Sequence, residues 1–100
     1  MSVLIVTKIR GDTARFSQAL KDRASEFAQI ADRAKTVGAI HHQFGVGDGY
    51  VMVVDEWETA DPFQKFFSDP DLQAFITSVG GLAGPPEMTV GTAMQSADQF

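Results

Sequence analysis

Two adjacent histidines and an acidic segment containing the only tryptophan are the residues most able to do chemistry in this chain. His41 and His42 precede a Gly-Asp-Gly turn at residues 47–49, and Asp55 and Trp57 follow it. Asp-Gly suits the positive φ angles of a tight β-hairpin, so the histidines and the carboxylate should lie on facing strands. Beside a carboxylate, an imidazole is held in one tautomer and can transfer a proton near neutral pH.

The length of the turn decides which histidine lies opposite Asp55. A two-residue turn pairs His42 with Asp55 and places His41 opposite Glu56 on the other face of the hairpin. A three-residue turn shifts the pairing by one residue and places His41 opposite Asp55. In either register a histidine and a carboxylate lie about 5 Å apart at Cβ, within reach of a hydrogen bond. Both registers are compatible with the sequence.

The pairing of residues outward from the turn also predicts the walls of a pocket. The two-residue turn places Phe44 opposite Val53 and Ile40 opposite Trp57, whose indole could stack on a flat ligand. The pair of a histidine with Asp55 could equally be a structural cross-strand hydrogen bond. The indole of Trp57 could equally fill the core. Adjacent strand residues point to opposite faces, so His41 and His42 cannot easily share an ion, and no metal site is expected.

The elements that position these residues follow from periodicity and from turn residues. We predict strands near residues 3–9, 39–46, 50–57 and 87–95, and a helix over 13–36 that Gly38 stops. A second helix should begin at Thr59 or Asp61, break at Asp69 and Pro70, and end at Gly80 and Gly81. This order predicts an α+β, ferredoxin-like βαββαβ fold, with a four-stranded antiparallel sheet and the helices on one face.

The first and third strands carry apolar residues on both faces, although the helices can cover only one face. The other face would be a larger apolar patch than monomers usually expose. We therefore expect a homodimer that forms through the sheet, built from one domain over residues 1–100 with a short tail at 96–100.

Composition excludes several partners. The formal charge is −5, with 8 basic and 13 acidic residues, so neither nucleic acid nor a membrane is an expected partner. The chain has no cysteine, which excludes disulfides and thiolate sites. Without a signal peptide or membrane-span pattern, a cytoplasmic location is expected.

The segment Asp55-Glu56-Trp57-Glu58-Thr59, which leads into an aromatic-rich helix, resembles the E-x-W-x-S/T corner of antibiotic-biosynthesis-monooxygenase-like domains. These belong to the dimeric α/β-barrel superfamily, and the wider sequence resembles small uncharacterised actinobacterial members. The resemblance implies a barrel formed by two subunits, a pocket in each, and activities that include cofactor-free monooxygenases, lactone isomerases and haem-degrading enzymes.

The haem-degrading branch uses an Asn on the first strand, the corner Trp and a His in the second helix. Only Trp57 matches, since Phe66 and Phe67 lie near the place of the His and the first strand has no Asn. This argues against haem degradation.

Three functions remain. The first is a small-molecule enzyme without a cofactor, of the monooxygenase or isomerase type, acting on a flat apolar or aromatic ligand. Its expected catalytic residues are His42 and Asp55, and its expected substrate-binding residues are Trp57, Phe44, Val53 and, in the longer turn, His41. The others are a non-catalytic ligand-binding or sensing dimer, and a structural interaction module whose interior is filled by side chains.

Overall fold

The backbone forms four strands and four helices in a computed structural model that describes residues 1–80 and 84–100. In chain order they are β1 (Val3–Arg10), α1 (Thr13–Asp22), α2 (Ala24–Thr36), β2 (Ala39–Gly47), β3 (Tyr50–Trp57), α3 (Ala60–Phe67), α4 (Pro70–Gly80) and β4 (Glu87–Thr92). Within the described ranges, no helix has the length and apolar character needed to cross a bilayer.

The strands form one antiparallel sheet in the order β2-β3-β1-β4. The two central strands, β1 and β3, are those with apolar residues on both faces. This is the ferredoxin-like arrangement, and the predicted fold class is confirmed.

The helices cover one face of this sheet, which we call the inner face. Ile5 of β1 and Trp57 of β3 are buried there with Ala34 of α2 and Phe63 of α3 in a single core cluster. Thr7 is buried on the same face. The apolar residues of the helices recur at helical spacing, so each helix has one apolar stripe, and that stripe packs on this face. On the strands, every second residue points to this face.

The opposite, outer face is apolar at its centre, and no helix within residues 1–80 and 84–100 covers it. Val6 pairs with Val54 across the two central strands. These two side chains and Leu4 are 38 to 46% exposed. The alternation of β1 and β3 therefore leaves an uncovered apolar face, as the sequence predicted.

The predicted helix over residues 13–36 is wrong in one respect, because it breaks at Arg23 (φ −120°, ψ 32°) into α1 and α2. Phe16 and Phe27 are eleven residues apart, which in a straight helix is about 16 Å along the axis. Their ring centroids are 5.9 Å apart. The break lets the two rings meet, and this packing outweighs helix continuity.

The second predicted helix does break where expected, since α3 ends before Asp69 and α4 begins at Pro70. Gly38 follows the end of α2 with a φ of +119°, as a helix stop predicts. Gly80 ends α4, and Gly81 lies outside the described residues.

The last strand is shorter than the predicted 87–95 because its partner ends. β4 stops at Thr92, which pairs with Val3, the first residue of β1. One further bond, from the Ala93 amide to the Ser2 carbonyl, closes the ladder. Met94 therefore lies beyond the strand.

Candidate active site

The β2-β3 hairpin has the two-residue turn. Gly49 takes a φ of +78°, and Gly47 pairs with Tyr50 across the turn. His42 consequently pairs with Asp55, and Phe44 pairs with Val53, both on the inner face. The three-residue register is excluded.

One pairing predicted from regular counting is wrong. Ala39, not Ile40, lies opposite Trp57, because a bulge between Ala39 and His41 adds one residue to β2. The bulge places the small Ala39 side chain against the core cluster that contains the indole, where a larger Ile would need more room.

A carboxylate joins the candidate base to the tryptophan. The Nδ1 atom of His42 lies 2.6 Å from Oδ1 of Asp55, and the Nε1–H group of Trp57 donates to Oδ2 of the same carboxylate over a long 3.4 Å. Asp55 is buried, whereas the His42 side chain is 41% exposed. With an ionised carboxylate and a neutral imidazole, this contact requires the proton on Nδ1, and the lone pair of Nε2 is then free to accept another.

A cavity of about 420 Å³ lies between the helices and the inner face. His42, Asp55, Trp57, Phe44 and Val53 all contribute to its lining. The residues expected in the pocket thus all line it, including His41, which differs from the others in its orientation. A cavity of this size is in the range that holds small-molecule ligands.

His41 does not face the candidate carboxylate. It pairs with Glu56 on the outer side of the hairpin and is exposed. Although it borders the cavity, the two-residue register directs it away from Asp55. The histidine positioned against the carboxylate is therefore His42.

Phenylalanine dominates the lining, for seven of the eight phenylalanines in the chain border the cavity. They are Phe16, Phe27, Phe44, Phe63, Phe66, Phe67 and Phe75. No methionine is among the lining residues. The sequence predicted a pocket beside Phe44 and Val53, but it did not predict that phenylalanines from the helices line it, because core and cavity walls share the same apolar stripe.

These rings form two clusters, and His42 and Asp55 lie where the clusters approach each other. The first cluster packs edge-to-face around Phe44, which lies 5.1 Å from Phe16 and 5.8 Å from Phe27 between ring centroids. The second surrounds Trp57. The imidazole of His42 packs edge-on against Phe44 at 4.7 Å, and Asp55 binds the indole of the second cluster.

Charged groups are few around the cavity. Apart from the histidines, the ionisable lining residues are Asp12, Lys35 and Asp55. The Asp12 carboxylate accepts a hydrogen bond from the Arg15 amide at the start of α1. In the described part of the chain, no group of three or more His, Cys, Asp or Glu residues is arranged to hold a metal ion. The lining therefore suits a neutral, apolar molecule.

Known structures share this fold. The monooxygenase from the gene ActVA-Orf6 of Streptomyces coelicolor, solved with nanaomycin D, is 22% identical over 99% of this chain and 92% of its own, with a TM-score of 0.66. SnoaB, a cofactor-independent oxygenase from Streptomyces nogalater, is 19% identical over 98% of both chains, with a TM-score of 0.63.

A dimeric ferredoxin-like protein from an uncultured marine organism is 13% identical over 99% of this chain and 93% of its own, with a TM-score of 0.65. No protein-family model and no curated protein matches the sequence. At these identities the similarity establishes the fold, which is that of the antibiotic-biosynthesis-monooxygenase-like domains.

Proposed function

We propose that this protein is a cofactor-independent monooxygenase that oxidises a neutral, flat aromatic substrate in the cavity between sheet and helices. The observation that carries the proposal is the His42–Asp55 pair at a cavity lined by seven phenylalanines. The fold shared with SnoaB, a cofactor-independent oxygenase, supports the reaction class.

His42 is the proposed base and Asp55 its partner. With Nδ1 held by the carboxylate, Nε2 takes a proton from a ring CH₂ beside a carbonyl, and the resulting enolate donates electrons to dioxygen. Over the whole reaction the CH₂ group becomes a carbonyl. One oxygen atom of dioxygen stays on the carbon, and the other leaves with the two hydrogens as water. The substrate thus supplies all four electrons.

Phe44 and Val53 form the proposed wall nearest the base. They pair across β2 and β3 two residues along the strands from His42 and Asp55, which makes them the next pair on the same face. A planar ring that packs against Phe44 would lie close to the imidazole, which itself contacts Phe44. Holding the reacting carbon near a fixed base is what such walls contribute to catalysis.

We also propose a homodimer that forms through the outer face. Leu4, Val6 and Val54 are exposed there, on the side of the sheet without helices. A protein of the same fold is dimeric. Burial of this apolar area against a second copy would remove it from water, which stabilises the assembly.

The test compares His42→Gln with His41→Gln. Oxygen uptake would be measured with a panel of neutral polycyclic phenols and ketones, without added flavin and in the presence of a chelator. We expect His42→Gln to lose about 100-fold or more of the turnover, and His41→Gln to retain it because His41 faces Glu56. Full turnover by a folded His42→Gln protein would contradict the role of the base.

The same panel separates the alternatives. Because Trp57 is the only tryptophan and borders the cavity, quenching of its fluorescence would report binding of each compound. Quenching without oxygen uptake or isomerisation would identify a ligand-binding protein. Product formed without oxygen uptake would identify an isomerase.

A further inference from the structure

The indole of Trp57 has a polar contact that packing alone does not require. Its Nε1–H group donates to Oδ2 of Asp55, and the two residues lie two apart on the same face of β3. Trp57 is 2% exposed, so water cannot easily replace that bond. Within the described residues no buried side-chain nitrogen or oxygen lacks a partner, which leaves Asp55 as the group that satisfies the indole.

The two oxygens of Asp55 are therefore divided between two donors. Oδ1 faces Nδ1 of His42 and Oδ2 faces Nε1 of Trp57. A carboxylate rotates about its Cβ–Cγ bond, and that rotation decides which oxygen meets the imidazole. A donor fixed on one oxygen restricts the rotation and directs the other oxygen at His42.

The indole is itself held in place. Its ring lies 5.5 Å from that of Phe63 and 5.6 Å from that of Phe66, between centroids. The bulge in β2 places Ala39 opposite it, and Ala39 packs against the core cluster to which the indole belongs. The donor is thus a rigid part of the core, unlike the half-exposed imidazole that it would orient.

We propose that Trp57 is a positioning residue. Through Asp55 it holds the proton of His42 on Nδ1 and keeps the lone pair of Nε2 free. The catalytic meaning of this arrangement rests on the proposed function. The hydrogen-bonded chain from indole to carboxylate to imidazole is independent of that function. The role differs from that of a wall for the substrate, because it depends on the N–H group and not on the ring.

The test is nitrogen NMR of the ¹⁵N-labelled protein without ligand. The chain has one tryptophan and two histidines, so the indole N–H gives one signal and the exposed His41 ring serves as an internal reference. At a pH where both rings are neutral, we expect His42 to hold its proton on Nδ1 to a greater extent than His41 does. The proposal would be overturned if His42 held its proton on Nδ1 no more often than His41 does.

Trp57→Phe keeps an aromatic ring in the core but removes the donor. We expect the His42 tautomer bias to fall towards that of His41, with the His41 signals unchanged. A folded Trp57→Phe protein that keeps the wild-type tautomer population of His42 would overturn the proposal.

Asp55→Asn gives a second reading that does not depend on the stability of the tryptophan variant. An amide offers one acceptor oxygen to two donors, so either the indole signal must shift or the His42 bias must be lost. Unchanged indole and imidazole signals would overturn the proposal. These spectra are recorded without substrate, so an absence of oxygen uptake would count against the proposed function and leave this result intact.

Discussion

Val53 is the residue that most directly tests whether the cavity binds a ligand. It is partly buried, lines the cavity and pairs with Phe44 on the inner face. It makes no polar contact with the candidate base. A larger side chain there would fill the space of a ligand and leave His42 and Asp55 in place.

We predict that Val53→Phe lowers the affinity for a neutral aromatic probe, N-phenyl-1-naphthylamine, by at least about tenfold, or about 1.4 kcal/mol. The added ring would occupy cavity volume that the probe needs. Probe fluorescence in a titration measures the effect. Val37→Phe is the control, since Val37 is exposed at the end of α2. Equal affinities of the wild type and Val53→Phe would place the probe elsewhere.

For single residues, the sequence predicted the His42–Asp55 pair and the nearest walls, Phe44 and Val53, but not the rest of the cavity lining. His42 and Asp55 could be selected because a turn aligns two ionisable residues on facing strands, and Trp57 because it is the only tryptophan in the chain. The choice between His41 and His42 needed the geometry of the turn. Phe16, Phe27 and Phe75 could not be recognised as cavity walls, because the same apolar stripe also describes a filled core.

Among the elements, the break between α1 and α2 carries an exposed ion pair. Arg23 donates to Glu26 at 2.6 Å. The hydrogen bond from Arg23 lowers the pKa of Glu26 below its ordinary value. An acid with a lowered pKa stabilises the fold above its unfolded-state pKa, and that contribution is lost as the pH falls through the folded-state pKa.

Glu26→Gln should therefore lower the melting temperature at neutral pH by a small amount, because exposed pairs contribute little. The difference from wild type should vanish once the pH is below the folded-state pKa of Glu26. Thermal melts across the acidic range measure this. The pKa of Asp98 is also lowered, by a hydrogen bond from Ser96, but both proteins share that effect. Glu87→Gln on the exposed β4 strand is the control. A difference that persists in acid would assign the effect to packing.

The connection from α2 to β2 depends on Gly38. Its φ of +119° lies where a side chain is strongly disfavoured, while an added Cβ would meet nothing nearer than 3.7 Å, at the Glu58 carboxylate. We predict that Gly38→Ala destabilises the fold by about 1–3 kcal/mol through backbone strain. Urea denaturation would measure it.

Gly49→Ala provides the comparison for that measurement. Gly49 has a φ of +78° and open space around its Cβ position, closer to the left-handed region that other residues can adopt. We expect a smaller loss of stability than for Gly38→Ala. If Gly49→Ala lost more stability than Gly38→Ala, the backbone of the α2-β2 connection would have to change its conformation to relieve the strain.

The elements themselves were largely predictable, because their order follows from local periodicity and turn residues. The break at Arg23 was not, since neither Gly nor Pro marks it. It results from the contact of Phe16 with Phe27, which depends on the assembled core. The end of β4 likewise depends on where β1 begins, and no local signal in β4 carries that information.

For the whole molecule, the proposed homodimer depends on the outer face. Val6 and Val54 pair at its centre, where they are 39% and 38% exposed. The sequence predicted this face because two strands are apolar on both sides. A homodimer would cover it in the same way as the helices cover the inner face.

We predict that Val6→Lys weakens the dimer by at least about tenfold in Kd. A lysine there would either bury its charge or separate the two sheets. Sedimentation velocity over a concentration series would measure the change. Val37→Lys makes the same substitution at an exposed valine at the end of α2 and should leave the assembly unaltered. A Val6→Lys protein that dimerises as tightly as wild type would place the interface elsewhere.

The absence of sulfur from the cavity lining has a consequence for durability. The chain has no cysteine and only four methionines, none of which lines the cavity. Met1 and Met94 are the most exposed of them, at 91% and 82%. Thioethers are the side chains that peroxide oxidises first in a protein without thiols. If the proposed enzyme leaked partly reduced oxygen during turnover, it would therefore acquire sulfoxides at these exposed positions and none on the cavity wall.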